Sequence, residues 1–372
     1  MEIYYALIIL NVLCCLLEIK SSEKTKFYTL AILCTITALF GGLRWEVGND
    51  WGQYYDHFKA SKWSNIFSYN RGISTSDSIK LEPGFVFINV LLKSIFKTFY
   101  WYNLIICSFI QFSYYKFIKY HCPQYPLLLY AAILIMSINF FPVRSGLSIG
   151  VCLWSFRFIK EQRLIPFVII VALASLIHVQ CIVLLPLYWA GIFRFKNYVY
   201  ALIFIIIFLM GRSLQNYFGV YAVEIGGDIG AKLQYYTEVE TEEAQKFSIL
   251  NALTQFGLLC LYLNLPGKKV FGSEKWYYSL INMYILYLAI SYSFSDGMGE
   301  LARIKDPFSI VMPLLLVYGS TYYLKSKEVL VKIGVFLFLI IYISRRIIAF
   351  GSGYYFKLTC IPYRTIFDYR LF

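Results

Sequence analysis

Twelve apolar stretches follow one another along this chain, separated by polar loops, several of them short and basic. They cover residues 2–19, 27–43, 101–118, 125–141, 145–159, 164–178, 181–193, 198–211, 247–264, 277–294, 307–324 and 330–348. A hydrocarbon layer of roughly 30 Å takes about 20 helical residues to cross, so several stretches are short for a perpendicular span. Even so, a soluble domain has too little interior to hide them. Of 372 residues, 59% are hydrophobic and only 15% charged. The expected class is all-α: a polytopic integral membrane protein with about twelve crossings, forming one integral domain over residues 1–372. No repeat of 20–50 residues is visible. The N-terminus lacks a basic leader and a small-residue cleavage site, so residues 2–19 are expected to be a retained first helix.

Charge gives the spans a direction. The net charge of +13 suggests nucleic acid at first sight, but the cations sit in short clusters between apolar stretches. Lys20, Lys24 and Lys26 form one cluster, Lys116 and Lys119 another, and Arg157, Lys160 and Arg163 a third. Cytoplasmic loops against anionic lipid have this pattern, and nucleic acid is not expected as a partner. The loops of residues 44–81 and 213–245 then fall outside, the latter with Glu224, Asp228, Glu238, Glu240, Glu242 and Glu243. Residues 84–99 look like a further span, but a crossing there would put Lys116 and Lys119 on the wrong side. That segment is expected to be re-entrant or surface-lying, with both chain termini outside. The nine cysteines include no CxxC and lie mostly in apolar stretches, which favours reduced thiols.

A small ionisable set remains on the outer face. Arg44, Glu46 and Asp50 follow the second span, Arg144 follows the turn at residues 140–142, and His178 ends the sixth span. Arg303 opens a later span, and Tyr363 and Arg364 sit in the tail. Charge at membrane depth costs about 2.5–3.5 kcal/mol on insertion scales, so such residues are usually paired or functional. Arginines on the face that normally avoids them suggest an anionic ligand, since the planar fork matches phosphate oxygens. Plainer readings stand beside these. Arg144 could snorkel to lipid phosphate, His178 could be a packing residue, Arg44 could belong to a salt-bridge network, and Arg303 could pair with Asp306 or Asp296. Arg345 and Arg346 read as snorkelling side chains. Trp45, Trp51, Tyr54, Tyr55 and Trp63 suit either an interfacial belt or stacking against sugar rings.

The segments GLRWEVGNDWGQYY (42–55), LEPGFVFINVLL (81–92), FPVRSGLSIGVCLW (141–154) and ASLIHVQCIVLLPLYW (174–189) occur in this order. With Arg303 and the late IPYRTIF, the chain resembles EpsG-like, Wzy-type polysaccharide polymerases over nearly its whole length. One departure is visible, because Ser145 stands where the family commonly has glutamine after the arginine. The resemblance implies a GT-C-like, metal-independent glycosyltransferase with no cofactor at the periplasmic face of the bacterial inner membrane. It would polymerise O-antigen or capsular repeat units for surface polysaccharide or lipopolysaccharide. Donor and acceptor would be undecaprenyl-pyrophosphate-linked oligosaccharides, with membrane lipid around them and a chain-length-regulating co-polymerase as a partner. Read onto this chain, Arg144 and Arg303, with Arg44 and Arg364, would hold the pyrophosphate. His178 is the first candidate base, because imidazole exchanges protons near neutral pH. Glu46 or Asp50 is the second, and with Tyr54 and Tyr363 either could instead bind sugar. A flippase or exporter of the same lipid-linked sugars, an acyltransferase, and a transferase of single sugars are the alternatives. A flippase should carry polar groups through mid-membrane and often shows repeat symmetry, whereas here the ionisable groups gather at one face.

Overall fold

The computed structural model describes residues 1–48, 50–66, 81–137, 143–225, 249–294, 303–352 and 354–369. Among these the regular structure is helical, apart from one isolated antiparallel bridge between Arg44 and Thr365. It divides into two compact units, residues 1–182 with 339–372 and residues 183–338.

The first unit begins with helix α1 (Glu2–Cys14), followed by a short turn of helix at Leu17–Lys20, so the first apolar stretch is broken near residue 15. Helix α2 (Glu23–Gly42) starts at Ser22, whose hydroxyl accepts from the Thr25 amide at 3.2 Å, with Glu23 in the positive first turn. Then come α3 (Trp51–Ala60), α4 (Pro83–Phe96), α5 (Phe99–His121), α6 (Pro126–Ser137), α7 (Arg144–Glu161) and α8 (Leu164–Ile177).

Helices α2 and α5 run antiparallel: a Cβ on Gly42 would lie 2.6 Å from the Leu104 Cα, while Lys119 at the far end of α5 sits over the Phe27 ring. Helices α5 and α7 run parallel, with Ser113 bonded to Trp154 and Tyr120 to Glu161. One end of this bundle therefore gathers Lys26, Lys119, Arg157 and Lys160. There Glu18 caps α6 by accepting from the Leu127 and Leu128 amides, both at 2.9 Å. The other end gathers the end of α2 and the starts of α5 and α7. The basic loops at residues 20–26, 116–119 and 157–163 thus share one end of the bundle.

The segment 84–99 contains a break: α4 stops at a left-handed Lys97 and α5 starts at Phe99. Both ends of α4 are tied to the same end of the bundle. At its start, Gly84 lies against the backbone of Leu176 in the last turn of α8. At its other end, Lys93 donates to the carbonyls of Lys59 and Ser61, at the end of α3. Helix α4 therefore runs across that end of the bundle and does not pass through it.

The C-terminal tail covers the same end. After helix α14 (Tyr354–Cys360), the Trp45 amide donates to the Arg364 carbonyl and the Ile366 amide to the Leu43 carbonyl, both at 3.0 Å. The Tyr363 hydroxyl donates to the Phe40 carbonyl, and the two rings stack with centroids 4.4 Å apart.

The second unit contains α9 (Asn197–Ile225), α10 (Ile249–Leu263), α11 (Glu274–Ser293) and α12 (Val311–Leu324), and α13 (Val329–Ser352) begins in it. Its helices are cross-linked by side chains bonding to backbone. Tyr277 donates to the Tyr262 carbonyl, Tyr323 to that of Leu261, and Asn282 to those of Ala190 and Phe193. The stretch 181–193 is a series of short turns, Val179–Val183, Leu184–Leu187 and Ala190–Ile192, in place of one span. The polar loop expected over 213–245 starts later than anticipated, because α9 continues to Ile225. The remainder of that loop, the turn at 140–142 and the loop at 295–301 lie outside the described residues.

The surface is apolar where a soluble protein would be polar. Along α8, Ile165, Ile169, Leu173 and Leu176 are exposed, and along α13 so are Leu330, Ile333, Leu337 and Ile341. The interior meanwhile contains Asn11, Asn89, Asn103, Ser113, Ser148 and Ser155. Apolar-outward helices enclosing buried polar groups fit a membrane protein. Among the described residues, two helical segments, Glu2–Lys20 and Glu23–Gly42, are long and apolar enough to cross a bilayer, and seven shorter apolar segments accompany them.

Candidate functional site

Three side chains meet at the end of the first unit opposite its basic cluster. Arg144 is the first residue of α7, His178 follows the last residue of α8, and Glu82 immediately precedes α4. The His178 Nδ1 lies 2.9 Å from Glu82 Oε1, and Arg144 Nη1 donates to Glu82 Oε2 at 3.2 Å. The Val179 amide also donates to Oε1, at 3.2 Å. All three side chains are about 15% exposed, partly sheltered but reachable.

Local sequence explains each placement. Pro83 at the first helical position has a fixed φ suited to starting α4 and no amide hydrogen to satisfy there. Glu82 then occupies the N-cap position, where a carboxylate usually bonds the first amides of its own helix. Here its side chain makes no such bond; both oxygens face His178, Val179 and Arg144. Gly84 permits this, because a Cβ there would lie 2.7 Å from the Leu176 carbonyl oxygen. Val143, Ile177 and Phe85, close in sequence to the three polar residues, enter one apolar cluster with Leu147, Ile106 and Tyr102. The trio thus sits on a low-dielectric floor, where charge interactions are stronger than in water.

Burial pushes the Glu82 carboxyl upward, but the hydrogen bond from His178 and the charge of Arg144 outweigh it, and the net shift is downward. Glu82 is therefore a carboxylate. It accepts from Nδ1–H, which leaves the imidazole Nε2 as the open nitrogen. Arg144 uses Nη1 on Glu82, while its Nε is buried without a partner. The arrangement offers a proton acceptor beside a guanidinium with donors to spare for an anion.

Glu82 was not singled out in the sequence, although it lies in the quoted segment LEPGFVFINVLL. An acid before Pro-Gly at a helix start looks like an ordinary cap. The sequence signal was a carboxylate at the start of an apolar segment.

The other candidates lie elsewhere. Arg44 is 1% exposed, donates to the Gly41 carbonyl at 2.8 Å, and stands within electrostatic reach of Tyr4, Tyr102, Cys107, Cys360 and Tyr363. Glu46 and Arg364 face each other at 3.8 Å at the surface, joined through the Tyr369 hydroxyl, which donates to Glu46 at 2.7 Å. Tyr363 is engaged with Phe40. These four residues lace the tail to the loop after α2. Asp50 is exposed at the start of α3, and its side chain makes no capping bond. Tyr54 packs edge-on against Phe85, three residues from Glu82. Trp45, Trp51 and Tyr55 pack mainly on one another and on Phe99, whereas Trp63 is exposed. Arg303 is exposed in a turn of 3-10 helix, Arg303–Phe308, that belongs to the second unit. Arg346, read from sequence as snorkelling, instead donates to the Met136 carbonyl near the end of α6. Among the described residues, no three His, Cys, Asp or Glu side chains converge as metal ligands would.

Helical described residues with an apolar exterior fit the class of membrane proteins. The chain belongs to the EpsG family, whose model matches residues 27–365, and members of that family are similar to Wzy-type polymerases. No curated protein and no solved structure matches it.

Proposed function

We propose that this protein polymerises lipid-linked oligosaccharide repeat units at the outer face of a bacterial cytoplasmic membrane. The observation that carries the reading is the cluster of Arg144, Glu82 and His178 at the bundle end opposite the lysine-rich loops. By the positive-inside bias those loops are cytoplasmic, which turns the cluster outward. The fold would then be a GT-C-like polytopic bundle with α4 lying along the outer surface.

The donor would be the growing glycan on undecaprenyl pyrophosphate. The acceptor would be the non-reducing sugar of a new lipid-linked unit. The acceptor hydroxyl gives its proton to His178 Nε2 as its oxygen bonds to the donor's anomeric carbon. The bond from that carbon to the pyrophosphate oxygen breaks, and its electron pair leaves with the pyrophosphate. Donors of Arg144 meet the charge that develops there, which is where preorganised hydrogen bonds accelerate a reaction most. Arg303 is a second candidate cation for the pyrophosphate. Asp50 and Tyr54, near the start of α3, are candidates for contacts to sugar. Arg44, Glu46, Tyr363 and Arg364 support the site by holding the tail in place. A separate co-polymerase would set chain length.

Purified protein in lipid nanodiscs, given a lipid-linked repeat unit, should produce a ladder of products differing by one repeat, and His178→Ala should abolish it. A single addition, or transfer of substrate across the bilayer without product, would overturn the reading in favour of a simple transferase or a flippase.

A further inference from the structure

Resting on that reading, we propose that Glu82 is the positioning residue of the site: one carboxylate fixes the tautomer of His178 and the orientation of Arg144 together. Each oxygen has its own task. Oε1 accepts from Nδ1 of His178 and from the Val179 amide, and Oε2 accepts from Arg144. An ionised carboxylate is acceptor-only, so the imidazole nitrogen facing it must carry the hydrogen. In the neutral ring Nε2 then keeps its lone pair, the form needed to take a proton from a sugar hydroxyl. On Arg144 the same contact occupies Nη1 and leaves Nε, buried and unpartnered, on the side fork that meets two phosphate oxygens at once.

The contact spans the fold. Glu82 is 62 residues from Arg144 and 96 from His178 in sequence. It arrives on α4, the helix that runs across the bundle end, while its partners lie at the ends of α7 and α8. Base and anion-binding group therefore share one anchor, and neither can turn without straining the other. The titratable group in contact with the imidazole is Glu82, whose other oxygen accepts from Arg144. The Cys181 thiol stands within electrostatic reach of Glu82 and in contact with Cys152 on α7.

Replacing the carboxylate by an amide breaks this arrangement in a defined way. In Glu82→Gln one of the two acceptors becomes an NH2 donor. Either it faces the Arg144 guanidinium, or it faces Nδ1 and forces the hydrogen onto Nε2. Both outcomes disable the site while leaving the side-chain shape nearly unchanged.

The test is nitrogen-15 NMR of histidine-labelled protein in nanodiscs, with the His178 signals identified by their loss in His178→Ala. Neutral His178 in the wild type should be the Nδ1–H tautomer; an Nε2–H tautomer would overturn the proposal without recourse to any Glu82 variant. In Glu82→Gln kcat for repeat addition should fall about 100-fold or more, with the Nδ1–H signature lost where the amide NH2 faces the ring and kept where it faces Arg144. The kcat of Glu82→Asp, which keeps the charge but not the reach, should fall between the two. Wild-type kcat in Glu82→Gln would equally overturn it. The spectrum needs no turnover, so a wild type that shows Nδ1–H yet forms no polymer refutes the polymerase reading, not the role of Glu82 in orienting the ring.

Discussion

Gly84→Ala tests the geometry of the site from a position that touches no substrate. The added Cβ would lie 2.7 Å from the Leu176 carbonyl oxygen, 2.8 Å from its carbonyl carbon and 2.9 Å from its Cβ. Ordinary contact begins at 3.4 Å, so the start of α4 must move about 0.7 Å away from the end of α8. The atoms met are mostly backbone, and a rotamer change cannot relieve them. Glu82 is two residues before Gly84, and His178 is two residues after Leu176. The same displacement carries the 2.9 Å contact between them to about 3.6 Å, where it is no longer a hydrogen bond. Overpacking of this kind costs about 1–3 kcal/mol, and a misplacement approaching 1 Å at a reacting group can cost about 100-fold in rate. Polymer ladders should shorten or vanish while the protein remains folded, with its unfolding midpoint lowered by a few degrees. Gly52→Ala is the control: nothing lies within 4 Å of its Cβ, and it sits in helix α3, so alanine should leave activity intact. Wild-type ladders and an unchanged midpoint in Gly84→Ala would refute the close approach, and with it the claim that Gly84 sets the distance from Glu82 to His178.

Two further outcomes follow from the same contacts. Arg364 and Glu46 are each about half exposed, so Arg364→Ala should cost less than about 1 kcal/mol in thermal unfolding. Loss of polymer with stability unchanged would assign Arg364 to substrate instead of to the tail. Glu82, held below the ordinary carboxylate value, contributes stability that is fully present above its unfolded pKa and is lost as pH falls through its lower folded value. Thermal unfolding of the wild type should therefore weaken on acidification through that range. In Glu82→Gln the acid limb should be flatter, and an identical slope would show that the carboxylate gains nothing from its two partners.

The helical class, the apolar exterior and the common placement of three basic loops were legible in the sequence, because each depends on composition and local order. An apolar stretch must find lipid or core whatever its neighbours do, and Arg144 and His178 could be placed at helix ends by counting along their own spans. The candidate site was legible only in part. Arg44 follows its span as an outward-facing arginine would, yet the tail folds over it and buries it. Glu46 and Arg364, 318 positions apart, meet only because the chain returns across that end of the bundle. Residues 84–99 carry the composition of a crossing, but α4 runs laterally, since both its ends are tied to one end of the bundle. Glu82 is the clearest case. Sequence makes it a helix cap; tertiary packing turns both its oxygens away from its own helix. Local pattern sets which segments are helical and which groups avoid lipid, whereas a hydrogen bond spanning 96 residues exists only when three helix ends are packed against one another.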